Sequence, residues 1–259
     1  MRFGPLTRYL SSAWDMLFPR RCLVCGQTLS GGEEHVCGAC LTTLPLTHLD
    51  SRSENAVVRL FYDIEGTQRG VAMLVYRHQN ATFRLIHAMK YGDRPAVGVF
   101  LGEMMAHLFE PEGFFESVDA LVPVPLSARK LRDRGFNQSE AIAQGIATVT
   151  GLPIRTDLVA RTVDNPTQTN LSTQQRRENV AGIFSAADAD TLRNVGNGSP
   201  LKEKGNRYPH FLLIDDVITT GATLHALAET LRAAAPCRLS YLSAALAGQH
   251  LNVFERGAE

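Results

Sequence analysis

The chain has 259 residues, of which 44% are hydrophobic, and its 26 lysines and arginines are balanced by 26 aspartates and glutamates. This length accommodates one α/β core with a small appendage, and the composition excludes a disordered or fibrous protein. The formal net charge is zero, so any nucleic-acid or membrane surface has to be local.

The N-terminal stretch does not have the pattern expected of a signal peptide or a membrane helix. No apolar run reaches the roughly 18 residues of a membrane helix. Residues 1–21 are interrupted by Arg8, Asp15 and Pro19, and they lack a signal-peptide core. Apolar residues at helical spacing around Trp14 predict a short amphipathic helix instead. We therefore expect a cytoplasmic protein without a transmembrane segment.

The first motif is a cluster of four cysteines with the spacing C-x2-C-x11-C-x2-C, formed by Cys22, Cys25, Cys37 and Cys40. Paired knuckles at this spacing can place four thiolates around a zinc ion. Two disulfides or a redox-active C-x-x-C pair are the alternatives, and the lack of a secretory context favours zinc. A region this small has no core of its own, so zinc would supply its folding energy. We assign residues 1–50 to an N-terminal helix and a structural zinc ribbon.

From residue 51 onward, short apolar runs alternate with helical periodicities. This pattern predicts parallel strands joined by crossover helices over residues 51–259. Asn80 is expected to cap one helix, and Pro95 to lie in the first turn of the next. The apolar residues of that second helix are expected on one buried face, namely Val97, Leu101, Met104 and Leu108. Residues 120–124 predict a buried strand.

Residues 186–208 contain glycines and a proline and lack any periodicity. They predict a mobile surface insertion.

The segment Phe211–Thr223 begins as a buried strand and ends in a hydroxyl-rich loop. An amphipathic helix follows at once, so its free amides and positive dipole end face the loop. Threonine hydroxyls and the flexible Gly221 suit a phosphate group at that position. Asp215 and Asp216 at the strand end can accept hydrogen bonds from sugar hydroxyls.

These thirteen residues resemble the motif of type I phosphoribosyltransferases that binds 5-phosphoribosyl 1-pyrophosphate (PRPP). The resemblance implies the type I phosphoribosyltransferase fold, a mostly parallel sheet flanked by helices. It implies that Asp215 and Asp216 bind the ribose hydroxyls, with magnesium held mainly by oxygens of PRPP itself. The 5-phosphate would be bound by the loop residues Thr219, Thr220, Gly221, Ala222 and Thr223.

Further segments are similar to the ComF family of competence-associated proteins. They are Pro123–Leu126, Lys130–Gln138, Pro166–Thr169 with Arg176–Asn179, and the Lys-Tyr-Gly region within His87–Arg94, together with the cysteine cluster. The resemblance implies a pyrophosphate loop containing Lys130 and Arg134. It also implies a flexible lid containing Thr167, Gln168, Arg176 and Asn179. Two stretches depart from the family pattern, residues 63–70 and 186–208.

Three functional hypotheses remain open. A PRPP-binding protein of this family would serve DNA uptake in natural transformation, handling incoming single-stranded DNA alongside DNA-uptake machinery proteins. An active phosphoribosyltransferase would transfer the ribosyl group to an acceptor, although the sequence shows no general base or nucleobase pocket. A non-catalytic PRPP sensor or interaction scaffold is the third hypothesis. The DNA-uptake hypothesis rests on the family resemblance and on the local cations, because zinc ribbons and basic loops can contact DNA backbones.

Overall fold

The computed structural model describes residues 19–92, 94–162, 182–195 and 208–251. Within these ranges the strands are β1 (Thr67–Tyr76), β2 (Ala120–Pro123), β3 (Val159–Arg161), β4 (Phe184–Ala186), β5 (His210–Ile218) and β6 (Arg238–Ala247). The helices are α1 (Gly38–Leu41), α2 (Ala81–Tyr91), α3 (Pro95–Phe109), α4 (Ala128–Arg134), α5 (Gln138–Thr150), α6 (Ala189–Arg193) and α7 (Ala222–Ala234). Short 3₁₀ turns cover Val58–Phe61, Glu110–Glu112 and Gly248–His250.

Four of the strands form a central sheet in the order β1-β6-β5-β2. Every neighbouring pair in it is parallel. Strands β3 and β4 form a separate antiparallel pair. The sheet is buried on both faces, as parallel sheets require. The predicted class, a parallel sheet flanked by helices, is confirmed.

The predicted helix starts are confirmed. The Asn80 side chain accepts a hydrogen bond from the Phe83 amide at 2.9 Å and caps α2, and Pro95 occupies the first turn of α3. The predicted buried face of α3 is wrong in two positions. Met105 and Phe109 are buried, whereas Leu108 is 40% exposed and Met104 is only partly buried.

Helix α3 is rotated about its axis relative to the prediction. The reason is a close contact at glycines, which the apolar pattern does not take into account. A Cβ atom on Gly102 would lie 2.1 Å from the Ile142 carbonyl oxygen, and one on Gly145 would lie 2.0 Å from the Val99 carbonyl oxygen. The backbones of α3 and α5 therefore touch. This contact turns the glycine face of α3 toward α5 and moves Leu108 toward solvent.

The cysteine-rich region is attached to the main domain through backbone pairing and a shared core. Thr47 donates its amide to the Met73 carbonyl at 2.9 Å, and Val75 donates to the Pro45 carbonyl at 2.7 Å, so the linker pairs with edge strand β1. The Arg84 guanidinium on α2 donates to the Val24 carbonyl. The ribbon also adds side chains to the core on one face of the sheet, namely Cys22, Leu29, Val36, Cys37 and Leu44.

The structure describes the first of the two stretches that depart from the family pattern in full and the second only in part. In residues 63–70, Asp63 contacts His225 at 3.1 Å and Glu65 pairs with Arg232 at 2.6 Å, so this stretch is tied to α7. Of residues 186–208, the part up to 195 includes α6, whose Leu192 is buried, and 196–207 lie outside the described residues. No helix in the described ranges is long and apolar enough to cross a membrane.

Candidate ligand site and metal centre

The candidate ligand site lies at the carboxyl ends of β2 and β5. These strands are parallel neighbours, so their following loops emerge at the same edge of the sheet. The loop after β2 leads into α4, which is capped by Ser127, and the loop after β5 leads into α7. Crevices at such edges are where open α/β sheets bind ligands.

The turn between β5 and α7 brings the predicted phosphate loop together. Gly221 caps α7 with φ of +77°, a left-handed conformation that side-chain-bearing residues rarely adopt. Residues 217–224 and Asp215 line one small pocket at this turn. The Thr219 carbonyl is contacted by the imidazole of His250, from the turn after β6. The loop and the start of α7 thus line a small cavity, where an anion would meet the positive end of the helix dipole.

The two aspartates have different surroundings. The Asp215 carboxylate accepts hydrogen bonds from the Asp216 amide at 2.8 Å and from the Ser139 hydroxyl of α5 at 3.4 Å. Burial, together with the charge of Asp216, raises the pKa of Asp215 to about 7. The Asp216 carboxylate lies 2.7 Å from the Lys90 ammonium of α2. In this structure the acidic pair is therefore satisfied from two helices.

Lys130 interacts electrostatically with cations from three elements and with Asp216. Burial lowers the pKa of Lys130, and the charges of Arg161, Arg134 and Lys90 lower it further. An ammonium whose ionisation is opposed in this way favours an added anion. The predicted Lys130 is thus within electrostatic range of Asp216, and the predicted Arg134 is within range of Lys130. Arg134 also donates to the Gln138 side chain at 2.8 Å.

The sequence motifs predict no role for two of these cations, Lys90 and Arg161. Lys90 lies in the Lys-Tyr-Gly segment, which provided a signal for it. Arg161 lies on β3, and nothing in its local sequence marks it. The predicted lid residues Thr167, Gln168, Arg176 and Asn179 lie outside the described residues.

The four clustered cysteines form a second candidate site. One sulfur atom from each lies within 4.8 Å of all the others, and the Cys25 and Cys37 sulfurs are 3.7 Å apart. Tetrahedral zinc with bonds of about 2.3 Å requires sulfur separations of about 3.8 Å, so the cluster fits the ion. No disulfide is formed. His35 packs edge-on against Phe100 and is not part of the cluster.

The electrostatics of the cluster also suit a cation. Burial opposes ionisation of Cys22, but backbone hydrogen bonds outweigh it and lower its pKa to about 6. The amides of Val24 and Cys37 each lie 3.4 Å from its sulfur. Burial and the neighbouring sulfurs raise the pKa of Cys40 to about 12. One thiolate forms readily and a bound cation would favour the others.

Comparisons with known proteins support the zinc ribbon and the family resemblance. A family model described as a double zinc ribbon domain matches residues 13–49. Competence protein F of Haemophilus influenzae is 32% identical over 116 residues, which cover 44% of this chain and 44% of that protein. DNA utilization protein YhgH of Escherichia coli O157:H7 is 26% identical over 229 residues, covering 82% of this chain and 91% of that protein. These relatives confirm the resemblance to the ComF family.

A solved structure is also similar to this chain. Glutamine phosphoribosylpyrophosphate amidotransferase from B. subtilis, complexed with ADP and GMP, is 20% identical with a TM-score of 0.37. The match covers 61% of this chain and 30% of the amidotransferase. In this ComF-like chain the fold class follows from the parallel sheet and the ribbon, and the four-cysteine ribbon supports a structural zinc ion.

Proposed function

We propose that the chain binds PRPP with magnesium at the β2 and β5 strand ends and acts in the uptake of DNA during natural transformation. The observation that carries the proposal is the juxtaposition of a hydroxyl-rich loop at a helix start, two carboxylates and a group of cations. These three features match the three parts of PRPP in order, which are the 5-phosphate, the ribose and the diphosphate.

The 5-phosphate end has the most local support. Loop amides, threonine hydroxyls and the start of α7 all offer hydrogen-bond donors or positive potential at Thr219–Thr223. Asp215 lines the same pocket, so a sugar attached to that phosphate would have a carboxylate acceptor within reach.

The diphosphate end is supported by charge. Lys130 and Arg134 lie on α4, directly after the loop that leaves β2, and Lys90 reaches the same place from α2. Lysine and arginine side chains form charge-assisted hydrogen bonds to phosphate oxygens, and these bonds are stronger than hydrogen bonds between neutral groups. Magnesium, held mainly by oxygens of PRPP itself, would neutralise the remaining charge.

The Lys90–Asp216 ion pair would change partners when PRPP binds. Ribose hydroxyls would donate to Asp216, and the released Lys90 ammonium would then face the diphosphate. Both groups keep an opposite or hydrogen-bonding partner throughout, which avoids leaving a mostly buried charge unpaired.

The biological role is supported by the names of the relatives, competence protein F and DNA utilization protein YhgH. We infer that this chain works in the cytoplasm with DNA-uptake proteins on incoming single-stranded DNA. A PRPP sensor or scaffold without turnover fits the same site.

The cation cluster also favours a second candidate, an active phosphoribosyltransferase. A nitrogen of the acceptor would form a bond to the anomeric carbon, while the bond from that carbon to the diphosphate oxygen breaks. Pyrophosphate would leave with the bonding electrons, stabilised by magnesium and the cations. The acceptor nitrogen would lose its proton to solvent or to a base.

Calorimetric titration of PRPP with magnesium tests the proposal. The wild type is expected to bind, and an Asp215→Asn, Asp216→Asn variant to lose binding. Asp157→Asn is the control. The Asp157 carboxylate pairs with Arg155 at a distance of 2.7 Å, and neither residue belongs to the candidate site. Wild-type protein that does not bind PRPP would refute the proposal. Pyrophosphate release with an acceptor separates the transferase from the sensor.

A further inference from the structure

Helix α2 carries a row of aromatic rings on one face. Phe83, His87 and Tyr91 are four residues apart, and their ring centroids are separated by 5.7 Å and then 4.7 Å. His78 extends the row beyond Phe83 at 5.2 Å. Tyr91 is 67% exposed, and His78 and His87 are also exposed. Three rings of the row are therefore accessible to solvent, whereas Phe83 is only partly exposed.

The segment that contains this helix has an excess of basic residues, although the whole chain is neutral. Residues 76–94 contain four arginines and lysines against a single acid, Asp93. The Arg134 guanidinium lies 5.7 Å from the centre of the Tyr91 ring and extends the basic surface onto α4. Basic side chains therefore lie near the aromatic row, and one of them contacts its last ring.

This surface connects the two sites already described. Near its middle, Arg84 donates to the Val24 carbonyl of the zinc ribbon. At its end, Lys90 pairs with Asp216 of the ligand site at 2.7 Å. A polymer lying along α2 would contact the ribbon and the ligand site at once.

We propose that the row His78, Phe83, His87 and Tyr91 is a stacking surface for the bases of single-stranded DNA, with the neighbouring cations binding its phosphates. The proposal rests on the proposed role in DNA uptake and names the surface that performs it. Exposed rings stack on bases of any sequence, and basic side chains follow the backbone. Duplex DNA has its bases already stacked and paired, so it could use only the cations.

Fluorescence anisotropy with a labelled oligodeoxythymidine tests the surface. We expect a His87→Ala, Tyr91→Ala variant to bind about tenfold more weakly or worse, since each stacked base contributes substantially to such binding. The control is Tyr208→Ala, because Tyr208 is an equally accessible tyrosine, 59% exposed, on a different part of the surface. Tyr91→Phe keeps the ring and should keep the affinity.

The outcomes separate the surface from the function. Wild-type protein without affinity for the oligonucleotide would overturn both the DNA role and this surface. Wild-type binding that His87→Ala, Tyr91→Ala leaves unchanged would overturn the surface alone. Tighter binding to the matching single-stranded RNA, or equal binding to duplex DNA, would also overturn it. Thermal unfolding of the variant, expected to match the wild type, excludes misfolding as the cause of weaker binding.

Discussion

The Lys90 ammonium lies 2.7 Å from the Asp216 carboxylate, and their side chains are only 21% and 14% exposed. This pair joins α2 to the end of β5 across the candidate ligand site. Because both groups are largely withdrawn from water, removing either one leaves the other charge poorly solvated.

A double-mutant cycle with Lys90→Met and Asp216→Asn should therefore give a coupling energy of about 1–3 kcal/mol, measured by denaturant unfolding. The matched control is the pair Arg59 and Glu54, which lie 2.8 Å apart but are more than half exposed. Its coupling should stay below about 1 kcal/mol. Additive effects at Lys90 and Asp216 would show that the pair is not energetically significant.

Asp215 makes stability depend on pH in a defined direction. Burial and Asp216 raise its pKa from 3.8 to about 7 in the folded chain, so the folded state holds this proton more tightly than the unfolded state. The stability gained from this proton is fully present below the pKa of Asp215 in the unfolded chain. It is lost as the pH rises through the folded pKa of about 7. Above pH 7, Asp215→Asn should be more stable than the wild type by more than about 1 kcal/mol.

That advantage should shrink at about pH 5, where the folded wild type already holds the proton. Guanidinium unfolding at both pH values measures the difference. Asp157→Asn serves as the control, because Arg155 lowers the pKa of Asp157 through a hydrogen bond. A pH-independent difference for Asp215→Asn would contradict the raised pKa.

Gly221→Ala should weaken PRPP binding for two reasons. Its φ of +77° strains any side-chain-bearing residue, and the new Cβ would lie 3.4 Å from the Phe61 ring. Gly151→Ala is the control, with φ of +69° and nothing within 4 Å. Both variants should lose about 1 kcal/mol of stability, and only Gly221→Ala should lose PRPP affinity by calorimetry. Equal PRPP affinity in the two variants would argue against the loop as the phosphate site.

Removal of zinc should destabilise the main domain as well as the ribbon. Cys22 and Cys37 belong to the same core as the sheet, so loss of the metal should expose part of that core. Cys25→Ser should lose zinc, measured by atomic absorption, and should lower the thermal midpoint. Cys237→Ser should keep its zinc, because Cys237 lies apart from the cluster and is buried, which raises its pKa to about 11. Unchanged zinc content in Cys25→Ser would refute the four-cysteine site.

The sequence predicts those parts of the site that depend on neighbours along the chain. The Asp215–Thr223 segment forms a strand, a turn and a helix in succession, and each part has a local signal. The ion pair of Lys90 with Asp216 joins residues more than a hundred positions apart, so no local pattern could reveal it. The position of Arg161 depends in the same way on how β3 and β4 pack against the sheet. The apolar pattern of α3 does not predict that Met105 is buried, because it takes no account of the glycines that contact α5.

The backbone contact between α3 and α5 has a consequence for how such sequences can change. Helix α5 carries Ser139, which donates to Asp215, so a methyl group on Gly102 or Gly145 would displace one wall of the ligand site. Selection for the proposed ligand binding would therefore act on positions that no ligand touches. In related chains these two sites should admit almost no variation, while the exposed residues beside them drift freely.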